Sequence, residues 1–187
     1  MAKNKGYTLI EMIIVITIMA VLSATTFVVM GVIKNAKRTS AVDKFDTQLS
    51  ACLVQTKAVS KALNGTDRGL CMVIRKRTDG KYALMTGYIV NSSVVDKDGN
   101  ALNPNNDNAC DAIMEKEISK IEYSPSATSQ KASIATADQM IIQYVKTDGS
   151  LKYGAGTYKL YTKRNGSDAL HATVYLDAVS GNHHIQY

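Results

Sequence analysis

From Met12 to Ile33 nearly every side chain is apolar, and only Thr17, Ser23, Thr25, Thr26 and Gly31 relieve the run. A stretch of roughly 20 such residues is long enough to cross a hydrocarbon core. Lipid offers no partner to backbone N–H and C=O groups, so helix is the state compatible with the run despite its many β-branched residues. After Ile33 the pattern becomes amphipathic. Val42, Phe45, Leu49, Cys52, Thr56, Val59 and Leu63 recur at spacings of three and four, with Lys44, Asp46, Gln48, Gln55, Lys57 and Lys61 between them. The two patterns together predict one helix from about Thr8 to about Leu63, stopped at Asn64-Gly65. About three heptads would also suit a coiled coil, but strand signals follow at once and favour packing of the apolar stripe within the chain.

Those strand signals are hairpins. Leu70 to Arg77 and Lys81 to Val90 flank Asp79-Gly80; Asn91 to Val95 and Ala101-Leu102 flank Asp98-Gly99-Asn100; Met140 to Val145 and Leu151 to Tyr153 flank Asp148-Gly149. Thr157 to Thr162, Leu170 to Leu176 and His183 to Tyr187 follow, separated by Asn165-Gly166 and Ser180-Gly181-Asn182. In the middle, Ile113, Glu117, Ile118 and Ile121 predict a short helix over Asp111 to Glu122, and the Ser-, Ala- and Thr-rich stretch Ser124 to Thr136 predicts a surface loop. The expected fold is α+β: a long N-terminal helix whose second half packs on an antiparallel sheet.

One carboxylate, Glu11, interrupts the start of the apolar segment, preceded by a short leader with Lys3 and Lys5. Three readings compete. A cleaved secretory signal needs a shorter apolar region and a better small-residue site than Leu22-Ser23-Ala24. A plain anchor explains the length but gives no reason for a carboxylate that costs up to about 3 kcal/mol in hydrocarbon. The third gives the carboxylate a cationic partner. Lys34, Lys37 and Arg38 balance the leader lysines, so flanking charge does not fix orientation.

The run Lys-Asn-Lys-Gly-Tyr-Thr-Leu-Ile-Glu, continued by Met-Ile-Ile-Val-Ile-Thr-Ile-Met-Ala-Val-Leu, resembles the leader and N-terminal helix of type IV pilins, a start shared with the pseudopilins of type II secretion and competence systems. The resemblance covers about the first fifth of the chain. It implies a leader over residues 1–6, a hydrophobic transmembrane and assembly helix over 7–33 and a pilin head over 34–187 that includes the amphipathic half of the helix. It also implies cleavage by a membrane-embedded prepilin peptidase between Gly6 and Tyr7, N-methylation of Tyr7, and a role for Glu11 in filament assembly. Tyr7 stands where the family usually has Phe, and no proline stands near Val28 where many pilins have one. The helix is therefore expected to run without that break, since glycine costs about 1 kcal/mol in a helix against about 3 for proline. Once cleaved, the Tyr7 amine would be neutralised by Glu11, within one helix or between an incoming subunit and one already packed. Burying both charges together relieves a cost that either would incur alone.

On that resemblance the expected partners are further copies of the chain in a homopolymer or mixed filament, the peptidase and the pilus assembly platform in the membrane. The precursor is expected in the cytoplasmic membrane with its head outside, and the assembled form on the cell surface. The competing functions are a pseudopilin and, from another class, a binding domain merely tethered by its helix.

Composition fits one soluble head behind the helix: 45% of residues are hydrophobic and 20% charged. Net charge is +6, falling to +4 with loss of Lys3 and Lys5. That excess is mild, and Arg75-Lys76-Arg77 is expected to be a solvent-facing strand end, with no specific recognition of nucleic acid. No enzyme is expected. The chain has no G-x-S-x-G, H-E-x-x-H or phosphate-binding glycine loop, and His183 and His184, adjacent in a predicted strand, point to opposite faces and do not converge with His171. No cofactor or metal is expected. Asp96, Asp98, Asn100 and Asp107 resemble the start of a calcium loop, but Ala101 stands where that loop needs glycine and Asp107 where it needs a bidentate Glu. A tight turn beside an Asn-rich loop accounts for them. Of three cysteines, Cys52 belongs to the apolar helix stripe, and Cys71 and Cys110 are the candidate pair for a disulfide outside the cytoplasm.

Overall fold

The computed structural model describes residues 7–58, 69–91, 93–127 and 139–187. The leader, the expected helix stop at Asn64-Gly65 and most of the Ser124 to Thr136 segment lie outside these. Helix α1, Leu9–Ala58, runs unbroken through Val28 and Gly31. Two compact units divide within it, at Lys37 and Arg38.

In the second unit the chain forms β1 (Gly69–Lys76), β2 (Tyr82–Val90), β3 (Ser93–Val95), β4 (Ala112–Ile113), β5 (Ile118–Pro125), β6 (Gln139–Tyr144), β7 (Leu151–Tyr153), β8 (Gly156–Arg164), β9 (Ser167–Leu176) and β10 (His183–Gln186). They build two antiparallel sheets where the sequence suggests one: β3-β2-β1-β6-β7, with β4 beside β2, and β10-β9-β8-β5. The predicted turns sit between the predicted partners. At the β8–β9 tip Asn165 and Gly166 have φ of 51° and 83°, the two left-handed positions that a tight hairpin turn demands and that Asn-Gly meets at little steric cost.

The stripe read from the sequence is the helix contribution to the core. Val42, Phe45, Leu49 and Cys52 are fully buried in one cluster with Leu70, Met72 and Ile74 of β1 and Tyr158, Leu160 and Val174 of the second sheet. Both sheets thus share one core with the helix. Alternate residues of β1, Cys71 and Val73, turn to the other face and join Ala83, Met85, Leu102 and Ile141 in a smaller cluster. Both faces of β1 are therefore buried, which its continuous apolar run allows.

The short helix expected over Asp111 to Glu122 does not form. Met114 donates its N–H to the Tyr82 carbonyl at 2.9 Å, Ala112 and Ile113 pair with β2, and residues from Ile118 onward pair with β8. A register shift between Ile118 and Lys120 puts an extra residue into the strand, so Ile118 and Ile121 are both buried in the main core although three residues apart. That bulge imitates helical spacing. The segment expected to loop from Ser124 instead continues β5 to Pro125, opposite Gly156.

Candidate functional site

The N-terminal unit offers a surface that water does not favour. From Tyr7, 86% exposed, to Ile33, 49% exposed, the large apolar side chains among the described residues are exposed around the helix. The helix is long and apolar enough to cross a membrane. Its few hydroxyls are turned inward: Thr17 donates to the Ile13 carbonyl at 2.8 Å, Ser23 to that of Met19 at 2.7 Å, and Thr25 and Thr26 both to that of Leu22 at 2.9 Å. Each polar group is thereby satisfied within the helix, as an apolar surrounding requires.

At the start of the helix Thr8 and Glu11 bind each other reciprocally. The Thr8 N–H and hydroxyl donate to Glu11 Oε2 at 2.8 and 2.9 Å, and the Glu11 N–H donates to Thr8 Oγ1 at 3.3 Å. This is a capping box, which satisfies amides that the first turn leaves without helical partners. Its signal, Thr-x-x-Glu before an apolar run, is present in the sequence, and it gives Glu11 a local role beside the assembly role that the resemblance implies. Glu11 is thus engaged within its own chain as well as being the one acidic group of the apolar segment. Gly6 lies outside the described residues, and Tyr7 directly follows it.

The head places the remaining candidates apart. Arg75 and Arg77 are not the solvent-facing strand end that the sequence suggests. Arg75 Nη1 donates to the Leu102 carbonyl at 2.9 Å, Arg77 Nη1 to that of Pro104 at 2.8 Å, and Arg77 Nη2 meets Asp107 Oδ1 at 2.7 Å. The bond to Asp107 raises the Arg77 pKa further above its ordinary value. These two cations pin the loop that covers the smaller cluster, so their charge is spent on the fold. Lys76, between them, stays exposed.

Asp107 therefore turns to Arg77, and Asp96 accepts the N–H groups of Asp98 and Asn100 at 2.9 and 2.8 Å. The Asn100 amide leads in holding the Asp96 carboxyl below its usual range. The turn's own amides thus bond the Asp96 carboxylate, and among the described residues no group of three or more His, Cys, Asp or Glu side chains is placed to hold a metal.

Cys52, Cys71 and Cys110 are free thiols. Cys71 is sealed in the smaller cluster, with Cys110 packed partly buried against that cluster. The pair proposed for a disulfide is thus brought to one cluster and left unbridged. Cys110 Sγ faces the Asn106 and Pro104 carbonyls at 3.2 and 3.5 Å. Burial pushes the Cys52 thiol up to about 12 and that of Cys71 higher still, which makes both inert as nucleophiles.

The histidines separate as expected, but one has a partner that only the fold supplies. His183 Nε2 lies 2.6 Å from Asp46 Oδ1 on α1, clasping the last strand to the helix. His184 points away and stacks on Tyr175 with ring centroids 4.6 Å apart.

Residues 1–27 match the family described as the prokaryotic N-terminal methylation motif. This is the signature of type IV prepilins and pseudopilins, and it implies processing by a prepilin peptidase. No curated protein and no solved structure matches the chain.

Proposed function

We propose that the chain is a structural subunit of a type IV pilus, made as a membrane precursor with its head outside, cleaved between Gly6 and Tyr7, N-methylated at Tyr7 and polymerised through the helix from Tyr7 to Ile33. The observation that carries this reading is the helix itself: apolar and exposed on all sides, internally satisfied in its hydroxyls, and bearing one acidic group at its start. A surface of that kind needs lipid before assembly and other helices after it. In the filament, Glu11 would meet the Tyr7 amine of a neighbouring subunit, a pairing that low dielectric strengthens well beyond its worth in water. The head supplies the outer surface, for adhesion, motility or DNA uptake.

Coexpression with an active prepilin peptidase tests the reading. Intact mass should show loss of Met1 to Gly6 and one added methyl on Tyr7. A full-length chain under those conditions would leave a tethered domain as the better description.

A further inference from the structure

Arg38 stands five residues after Ile33, where the apolar run ends. Its Nη2 donates to the backbone carbonyl of Lys163, 3.4 Å away. Lys163 and Arg164 end β8, and the Asn165-Gly166 turn leads into β9, so this bond holds the β8–β9 hairpin tip against Arg38. Five helical residues rise about 7.5 Å, and even fully extended they reach only about 18 Å. The polar layer of a bilayer extends roughly 5 to 7 Å beyond the hydrocarbon on each side. If the apolar run ends at the hydrocarbon boundary, chain length alone keeps the Arg38 backbone within about 18 Å of that boundary, and the hairpin tip is bonded to Arg38.

The chemistry of the tip suits that place. Strand register brings Ile118 opposite Thr162 and Lys163 opposite Asp168, so Lys116 and Glu117 enter β5 beside the same end of the sheet. The charged groups at this end of the sheet are Arg38, Lys116, Lys120, Lys163 and Arg164 against Glu117, Glu122 and Asp168, with Lys120 held by Glu122. Asp168 is 3.0 Å from Lys163, whereas Lys116 and Arg164 are exposed. Leu170, opposite Tyr161 on the same hairpin, is 53% exposed. An excess of cations beside an uncovered leucine is the composition of a surface that meets anionic lipid.

We propose that the β8–β9 hairpin tip docks on anionic phospholipid headgroups and seats the head on the membrane before assembly. The inference rests on the membrane-inserted precursor proposed above, and not on the kind of filament it enters.

Full-length protein in nanodiscs of phosphatidylcholine, with or without phosphatidylglycerol, provides the test. The Lys163 amine is acylated with a water-soluble active ester and read by mass spectrometry against Lys97, whose side chain is 76% exposed in a turn elsewhere. A basic group near an anionic surface gains about 1 kcal/mol, a roughly five-fold effect. The Lys163 to Lys97 labelling ratio should therefore fall about five-fold in anionic discs, recover at high salt, and recover in a Lys116→Glu, Arg164→Glu variant. Equal ratios in the two lipids, or undiminished protection in the variant, overturn the docking. Lipid-independent labelling together with loss of filaments in the variant would also overturn it, by assigning the tip to subunit contacts. Failure of the chain to enter discs of either composition would instead reject the membrane-inserted precursor and the inference with it.

Discussion

The N–H of Thr8 and the carboxylate of Glu11 meet at 2.8 Å, so the acidic residue that the proposed assembly needs also closes the first turn of its own helix. Cap and charge are separable by substitution, because glutamine can replace glutamate in a capping box while carrying no charge. In cells without wild-type subunit, Glu11→Gln and Glu11→Ala should both be processed and accumulate in the membrane while surface filaments fall sharply. Removing one partner of a buried pair costs about 3 to 5 kcal/mol, and every subunit repeats the loss. Glu11→Asp should be intermediate, keeping charge with a shorter reach. Electron microscopy and immunoblots of sheared fractions decide between the roles: wild-type yield from Glu11→Gln alone would show that the cap, not the charge, is what matters.

The core joins helix and second sheet through Phe45 and Tyr158, with ring centroids 5.7 Å apart. Tyr158 is fully buried and donates its hydroxyl to the Gly154 carbonyl at 2.8 Å. Phe45→Ala should destabilise the head by about 3 to 5 kcal/mol, the usual cost of emptying an aromatic site. Tyr158→Phe keeps the ring and should cost only about 1 kcal/mol for the lost hydrogen bond. Urea unfolding of the full chain in detergent would rank the two, and comparable losses would contradict this assignment of the ring and the hydroxyl.

Thiol labelling reports directly on the cysteines. In the folded protein Cys110 should react first, since Cys52 and Cys71 have no exposed surface. After denaturation without reductant, three labelled thiols match the free state of the structure, whereas one label would establish a bridge formed on export, with Cys71 and Cys110 the pair that shares a cluster.

His171 should make stability depend on acid. Burial, helped by the Arg38 charge, lowers its pKa in the folded head, so the unfolded chain binds the proton more readily. The stabilisation is complete above the ordinary imidazole value near 6.5 and is lost as pH falls through the lower folded value. Melting temperature should therefore drop between pH 7.5 and 5, and His171→Gln should drop less over the same interval. Parallel pH profiles for the two proteins would remove His171 as the cause.

Much of this molecule is local and was open to reading. The apolar run, the three-and-four spacing of Val42, Phe45, Leu49 and Cys52, and the Asp-Gly and Asn-Gly turns each act over a few residues, where periodicity and backbone freedom decide the outcome. The motif at the N-terminus is equally local, because the peptidase it implies would meet it as linear sequence.

What the sequence could not disclose depends on which strand lies beside which. Ile113, Ile118 and Ile121 fit a helix until β2 and β8 offer their open edges, and a bulge then turns Ile118 and Ile121 to the same core. Arg75 and Arg77 look solvated until the loop at Leu102 to Asp107 folds over them and presents its carbonyls. His183 gains Asp46, 137 residues away in sequence, only when the last strand reaches the helix. A side chain's own chemistry sets what it can bind, but its partner is fixed by long-range pairing, which follows from the whole core finding one arrangement and leaves no trace in local spacing.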